Sequence, residues 1–182
     1  TQFFFKDHRY AISQKMRFFK DSMVSTAFMF HFHGDINGRH NYPGKPAVNP
    51  LLGILFIIGF FGAIVRYKDR YNQLFLIYFF VALFPTVLTY PHENPHMLRT
   101  FGVIPSLLYC VTIGFEYIIS WLKKMHIPYK KCVIAIVTCY IIFFSSFSEI
   151  KTYFIYQRIV VTEAFKIGGD IKKNITINIL RL

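Results

Sequence analysis

The chain alternates long apolar runs with short polar links. Residues 47–65 carry no charge and end at Arg66. Residues 71–90 are again uncharged, with Pro85 near their end as an expected kink. Residues 101–122 are interrupted only by Glu116, and 132–148 form the last apolar run. Each run approaches the roughly twenty residues that cross about 30 Å of hydrocarbon. The pattern predicts an all-α membrane protein with about four transmembrane helices near 47–65, 71–90, 101–122 and 132–148. Gly53, Gly59 and Gly62 in the first run would let a neighbouring helix come close.

Upstream, Ile12, Met16, Phe19, Met23, Ala27 and Phe30 recur at spacings of four and three, which share one helix face. Lys15, Arg17 and Lys20 lie off that stripe. The spacing predicts a helix over 11–30. It fits a helix lying in the membrane interface with its basic side towards lipid phosphates, and equally an amphipathic helix packed on protein. After Glu149 polarity rises. Ile175, Ile177 and Ile179 alternate with Thr176 and Asn178, which reads as the start of a strand. Asn174, Ile175 and Thr176 match the N-glycosylation acceptor tripeptide, a weak pattern. The expected organisation is an external juxtamembrane segment over 1–46, a transmembrane bundle over 47–149 and the start of a small external soluble α/β region over 150–182. The whole reads as a fragment of a larger polytopic protein.

Composition supports a chain whose solvent is partly lipid: 54% of residues are hydrophobic and only 16% are charged. The net charge of +12 would suit nucleic acid, but the basic residues fall between apolar runs and form no basic helix. Nucleic acid is therefore not an expected partner; the lipid bilayer is. Cys110, Cys132 and Cys139 lie in apolar runs without a Cys-x-x-Cys pair, so zinc-finger and redox motifs are absent. Arg66, Lys68 and Arg70 are opposed only by Asp69, and the 123–131 link carries four lysines and no acid. The positive-inside rule puts these links in the cytoplasm and loops 30–50 and 90–100 on the outer face. Arg39, Lys45, Lys151 and Arg158 also flank apolar runs on that outer side.

The two outer loops concentrate the chemistry. His31, His33, His40, His92 and His96 sit in or beside them, five of the seven histidines. If extended, His31, His33 and Asp35 would point to one face and could hold a divalent metal, with His40 or His96 completing the set. Arg39, His40, Lys45 and Arg99 offer donors to phosphate oxygens, and Gly34, Gly38 and Gly44 let backbone N–H groups approach an anion. Contact with ordinary lipid headgroups would use the same groups. The Glu116 carboxylate sits in mid-run, where a charge normally faces a cavity or a partner.

Phe30, Gly34, Asp35, Asn37, Arg39, His40, Asn41, Pro43, Gly44 and Pro46, followed by an apolar run, make a recognisable pattern. It resembles a stretch of bacterial membrane glycosyltransferases of the GT-C class, the protein mannosyltransferase-like, family 39 type. Residues 94–102, with Pro105 after them, resemble a later external loop of the same family. The resemblance covers most of residues 10–165. It implies a polytopic hexosyltransferase of a bacterial-type plasma membrane, moving a sugar from a polyprenyl-phosphate donor to an acceptor at the outer face. The implied catalytic carboxylate would lie upstream of this chain, so no catalytic residue is carried over. The expected substrate-binding residues are Asp35, Arg39, His40, Lys45, His96 and Arg99. A transporter or flippase for a lipid-linked or anionic solute is the alternative. It would show broken helices or charges near the bilayer midplane, and only Pro85 and Glu116 point that way.

Overall fold

The computed structural model describes residues 10–38, 40, 42–89, 93–126 and 128–160, and these are helical with no strand. Helix α1 spans Ile12–Met29. Helix α2, Pro50–Val65, starts on a Pro already fixed at helical φ, with the Asn49 side chain accepting from Leu52 N–H at 3.0 Å. A short turn leads to α3, Arg70–Val87, where the Asp69 carboxylate accepts from Tyr71 and Asn72 N–H. One helical turn, α4 at Met97–Thr100, passes through a 3₁₀ turn at Phe101–Val103 into α5, Ile104–Lys124. Helix α6, Lys130–Lys151, continues through a π-helical stretch at Thr152–Gln157 to residue 160.

Helices α2 and α5 pack backbone to backbone because glycine allows it. A Cβ on Gly59 would overlap the Cys110 carbonyl, and one on Gly114 would overlap the Leu55 carbonyl. Gly62 receives the Tyr117 ring in the same way. The close helix approach anticipated from these glycines is realised at Gly59 and Gly62, whereas Gly53 faces the ring of His31 in the loop after α1. At the loop end of this pair, Phe30, Phe56 and Phe79 meet with ring centroids 5.7–5.8 Å apart, over Met29, Val48, Val103 and Cys110. Polar side chains tie α3 to α5: Tyr109 donates to Asn72 at 2.8 Å and Ser106 to the Phe75 carbonyl at 2.8 Å.

Two helical stretches, Met97–Lys124 and Lys130–Val160, are long and apolar enough to cross a membrane. Of the expected four, α2 is equally apolar but has 16 residues. Helix α3 opens on Arg70, Asn72 and Gln73, which lowers its hydropathy below that of a clear span. The expected break near 149 is not a break in structure, since α6 runs through it. The anticipated strand at 175–180, the 174–176 tripeptide and most of the proposed soluble region lie outside the described residues.

Helix α1 differs from one of its two sequence readings. Most of its apolar stripe does not pack on protein: Ile12, Met16 and Met23 are 81%, 61% and 51% exposed, and only its last member, Phe30, is buried in the core. The buried face is Ser22, Thr26 and Met29. Small polar residues bring α1 close, and Asn94 binds them: Thr26 Oγ1 donates to Asn94 Oδ1 at 3.1 Å, and Asn94 Nδ2 donates to the Ser22 and Thr86 carbonyls.

Candidate functional site

The loop after α1 folds back on itself. Gly34 N–H donates to the Gly44 carbonyl, Gly44 N–H to the Asp35 carbonyl, and Ala47 N–H to Met29. Two glycines are required for this. A Cβ on Gly34 would collide with the Lys45 carbonyl, and Gly44 has a left-handed φ of 76°. The chain segments so paired bring Asp35 inward.

Asp35 is 3% exposed, and both carboxylate oxygens are occupied. Oδ1 accepts from Asn37 N–H at 2.8 Å. Oδ2 accepts from His40 Nδ1 at 2.8 Å and from Met97 N–H at 2.9 Å. The last bond crosses to the second loop, where Met97 opens α4. A carboxylate there suits the positive end of a helix. Asp35 is therefore a pin between the loops, and it positions His40.

His96 caps α4 and lies beside His40, with ring centroids 4.5 Å apart at 31°. Its pKa is lowered by burial, then by the neighbouring His40 and Arg99. His40 donates through Nδ1 to Asp35, and Asn37 Nδ2 lies 3.5 Å from its Nε2. Asp35, His40 and His96 present donor atoms all within 4.8 Å of one another.

The remaining residues expected at the site are held around its margin. Lys45 pairs with Glu149 of α6 at 2.6 Å. Two more contacts fasten α6 to the same loop: Gln157 Nε2 donates to the Gly38 carbonyl at 2.9 Å, and the Tyr42 and Tyr156 rings lie 5.7 Å apart. Arg99 pairs with Glu93 at 3.2 Å on the half-exposed surface, where such pairs add little stability. Arg39 and His92 lie outside the described residues. The metal set suggested by alternation does not assemble. The chain is turning rather than extended there, so His31 binds the Gly53 carbonyl at 3.1 Å and leans on Phe56, while His33 stays exposed. Glu116 is exposed on the side of α5.

Sequence reasoning missed Asn94 as the anchor of α1, and Glu149 and Gln157 as clasps on the first loop. A polar amide just before Pro95 was a usable signal for the first. Pairings across more than a hundred residues, such as Lys45 with Glu149, leave no local signal. Searches for a matching family model, a similar curated protein and a similar solved structure found none.

Proposed function

We propose that the chain is part of an integral-membrane glycosyltransferase that moves a sugar from a polyprenyl-phosphate donor at the outer face of the membrane. One observation carries the reading. The Asp35–Met97 bond joins two loops rich in His, Arg, Lys and Gly at the end of a bundle of apolar helices. At headgroup depth such a cluster meets the phosphate of a lipid carrier. His40 and His96 face each other there, with Lys45 and Arg99 as cationic donors in the same two loops, and Arg39 belongs to the first of them in sequence. Donors fixed in place stabilise charge that develops on the carrier phosphate as the sugar leaves. In this reading α2, α3, α5 and α6 each cross the bilayer. Helix α1 lies in the outer interface with its exposed apolar stripe in lipid. The catalytic carboxylate is supplied from outside this chain, and the acceptor is left open.

The experiment is sugar transfer by the full-length protein, given a polyprenyl-phosphate sugar and matched for expression. A charge-assisted contact contributes about 1.5–3 kcal/mol, so Arg39→Ala and Arg99→Ala should each slow transfer roughly ten- to a hundredfold. If both variants transfer at the unmodified rate, the loops are structural and this reading fails.

A further inference from the structure

We propose that Asp35, His40 and His96 form a binding site for a divalent cation of the zinc class. The donors lie within 4.8 Å of one another, and the Asp35 Oδ2 to His40 Nδ1 distance is 2.8 Å. Nitrogen and oxygen ligands at about 2.0–2.2 Å from a tetrahedral ion stand roughly 3.3–3.6 Å apart. One pair is already closer than that. The third donor closes the set by a small shift of the half-buried His96 imidazole. Two imidazoles and one carboxylate suit zinc and its transition-metal neighbours, whereas magnesium and calcium prefer all-oxygen sites.

The support around the ligands is what distinguishes this set from loop histidines that meet by chance. Asn37 N–H and Met97 N–H both donate to the carboxylate, which fixes its plane. Such outer partners orient metal ligands and raise their affinity. His40 is set by its own backbone, with N–H donating to the Asn37 carbonyl at 2.9 Å, and His96 by its place at the start of α4. On binding through Nδ1, neutral His40 carries its single N–H on Nε2 instead, and the ion takes the place of the hydrogen between His40 and Asp35. Three protein ligands leave a fourth position open for water or an anionic group. The site uses His40 and His96 of the same cluster, but its ion is held whether or not a lipid phosphate arrives.

The test is zinc titration of the full chain in detergent micelles, followed by calorimetry, with cobalt as a spectroscopic stand-in. Loss of an outer partner alone costs about 10–100-fold in metal affinity, so His40→Ala or His96→Ala should cost about a hundredfold. His33→Ala and His126→Ala, at histidines outside the set, should bind as the unmodified chain does. Helical circular dichroism reports whether each variant is folded. Cobalt bound to the unmodified chain should give the intense visible bands of a four-coordinate site, a readout that needs no variant. Equal zinc affinity in the His40→Ala/His96→Ala double variant, or a cobalt spectrum identical to that of the free ion, would overturn the proposal.

Discussion

Asp35 is the residue on which most other contacts of the loops depend. Asp35→Ala leaves Asn37 N–H, Met97 N–H and His40 Nδ1 without their acceptor, and a buried donor left unpaired costs about 1–3 kcal/mol. We expect about 2–3 kcal/mol of lost stability, read as a lower thermal midpoint in micelles, with faster protease cleavage between residues 36 and 44. Asp35→Asn keeps the volume but sets an amide N–H against one of those donors, so it should lie between the two. If Asp35→Ala melts with the unmodified chain, the pin is not structural. The sequence marked Asp35, His40 and His96 as chemistry-bearing residues, but its metal set was built on the alternation of His31, His33 and Asp35. That rule holds for an extended chain, and this one turns at 30–32 before folding back on the 44–47 segment. The partner that matters, Met97 N–H, is a backbone group 62 residues away, invisible to any residue pattern.

Helix packing was more legible than the site. Apolar runs and breakers located α2, α3, α5 and α6 to within a few residues, because such runs have few ways to satisfy their backbone groups except as helices. Glycines at 53, 59 and 62 marked the contact face of α2, although its partner could be named only from the fold. Gly59→Ala places a methyl against the Cys110 carbonyl, which belongs to backbone and cannot rotate away. The helices must separate, and overpacking of this kind costs about 1–3 kcal/mol. Gly102→Ala is the control, since the nearest atom to its new Cβ is Ala82 Cβ at 3.7 Å. We expect a lowered thermal midpoint for Gly59→Ala and an unchanged one for Gly102→Ala; equal midpoints would mean that α2 and α5 are less tightly joined than described. For α1 the period was legible and the buried side was not. Hydropathy alone assigns the apolar stripe inward in water, and it turns outward here because Ser22 and Thr26 are claimed by Asn94. Spin labels at Met16 and Met23 should report apolar surroundings, and one at Asp21 a wetter one; three equal depths would contradict an interfacial helix.

Three long-range contacts fix which links share an end of the molecule. Asp35 to Met97, Lys45 to Glu149 and Gly38 to Gln157 bring the first loop, the start of α4 and the far part of α6 together. Helix α2 must therefore run away from that end and α3 return to it, and α5 and α6 repeat the movement. The turn at 66–69, the end of α5 at Lys124 and the start of α6 at Lys130 are left at the opposite end. Arg66 agrees, since its guanidinium lies 4.6 Å over the ring of Tyr117, in the second half of α5. Seven basic residues gather at that opposite end: Arg66, Lys68, Arg70, Lys123, Lys124, Lys130 and Lys131. Basic links of this length stay on the cytoplasmic side of a membrane. At 1.5 Å per residue α2 and α3 are about 24 and 27 Å long, slightly short of a 30 Å core. Local thinning and snorkelling of the flanking Arg and Lys accommodate such a mismatch. The expected outcome is a chain that crosses the bilayer at α2, α3, α5 and α6, with the Asp35–His96 cluster outside. Single cysteines at His33 and Lys68 test it, in a chain whose Cys110, Cys132 and Cys139 have been replaced. A membrane-impermeant maleimide should label position 33 in intact cells, and position 68 only after permeabilisation. Labelling of both positions from outside would exclude the crossing of α2. Labelling of 68 alone would invert the orientation and put the cluster in the cytoplasm, out of reach of an outer-face lipid carrier.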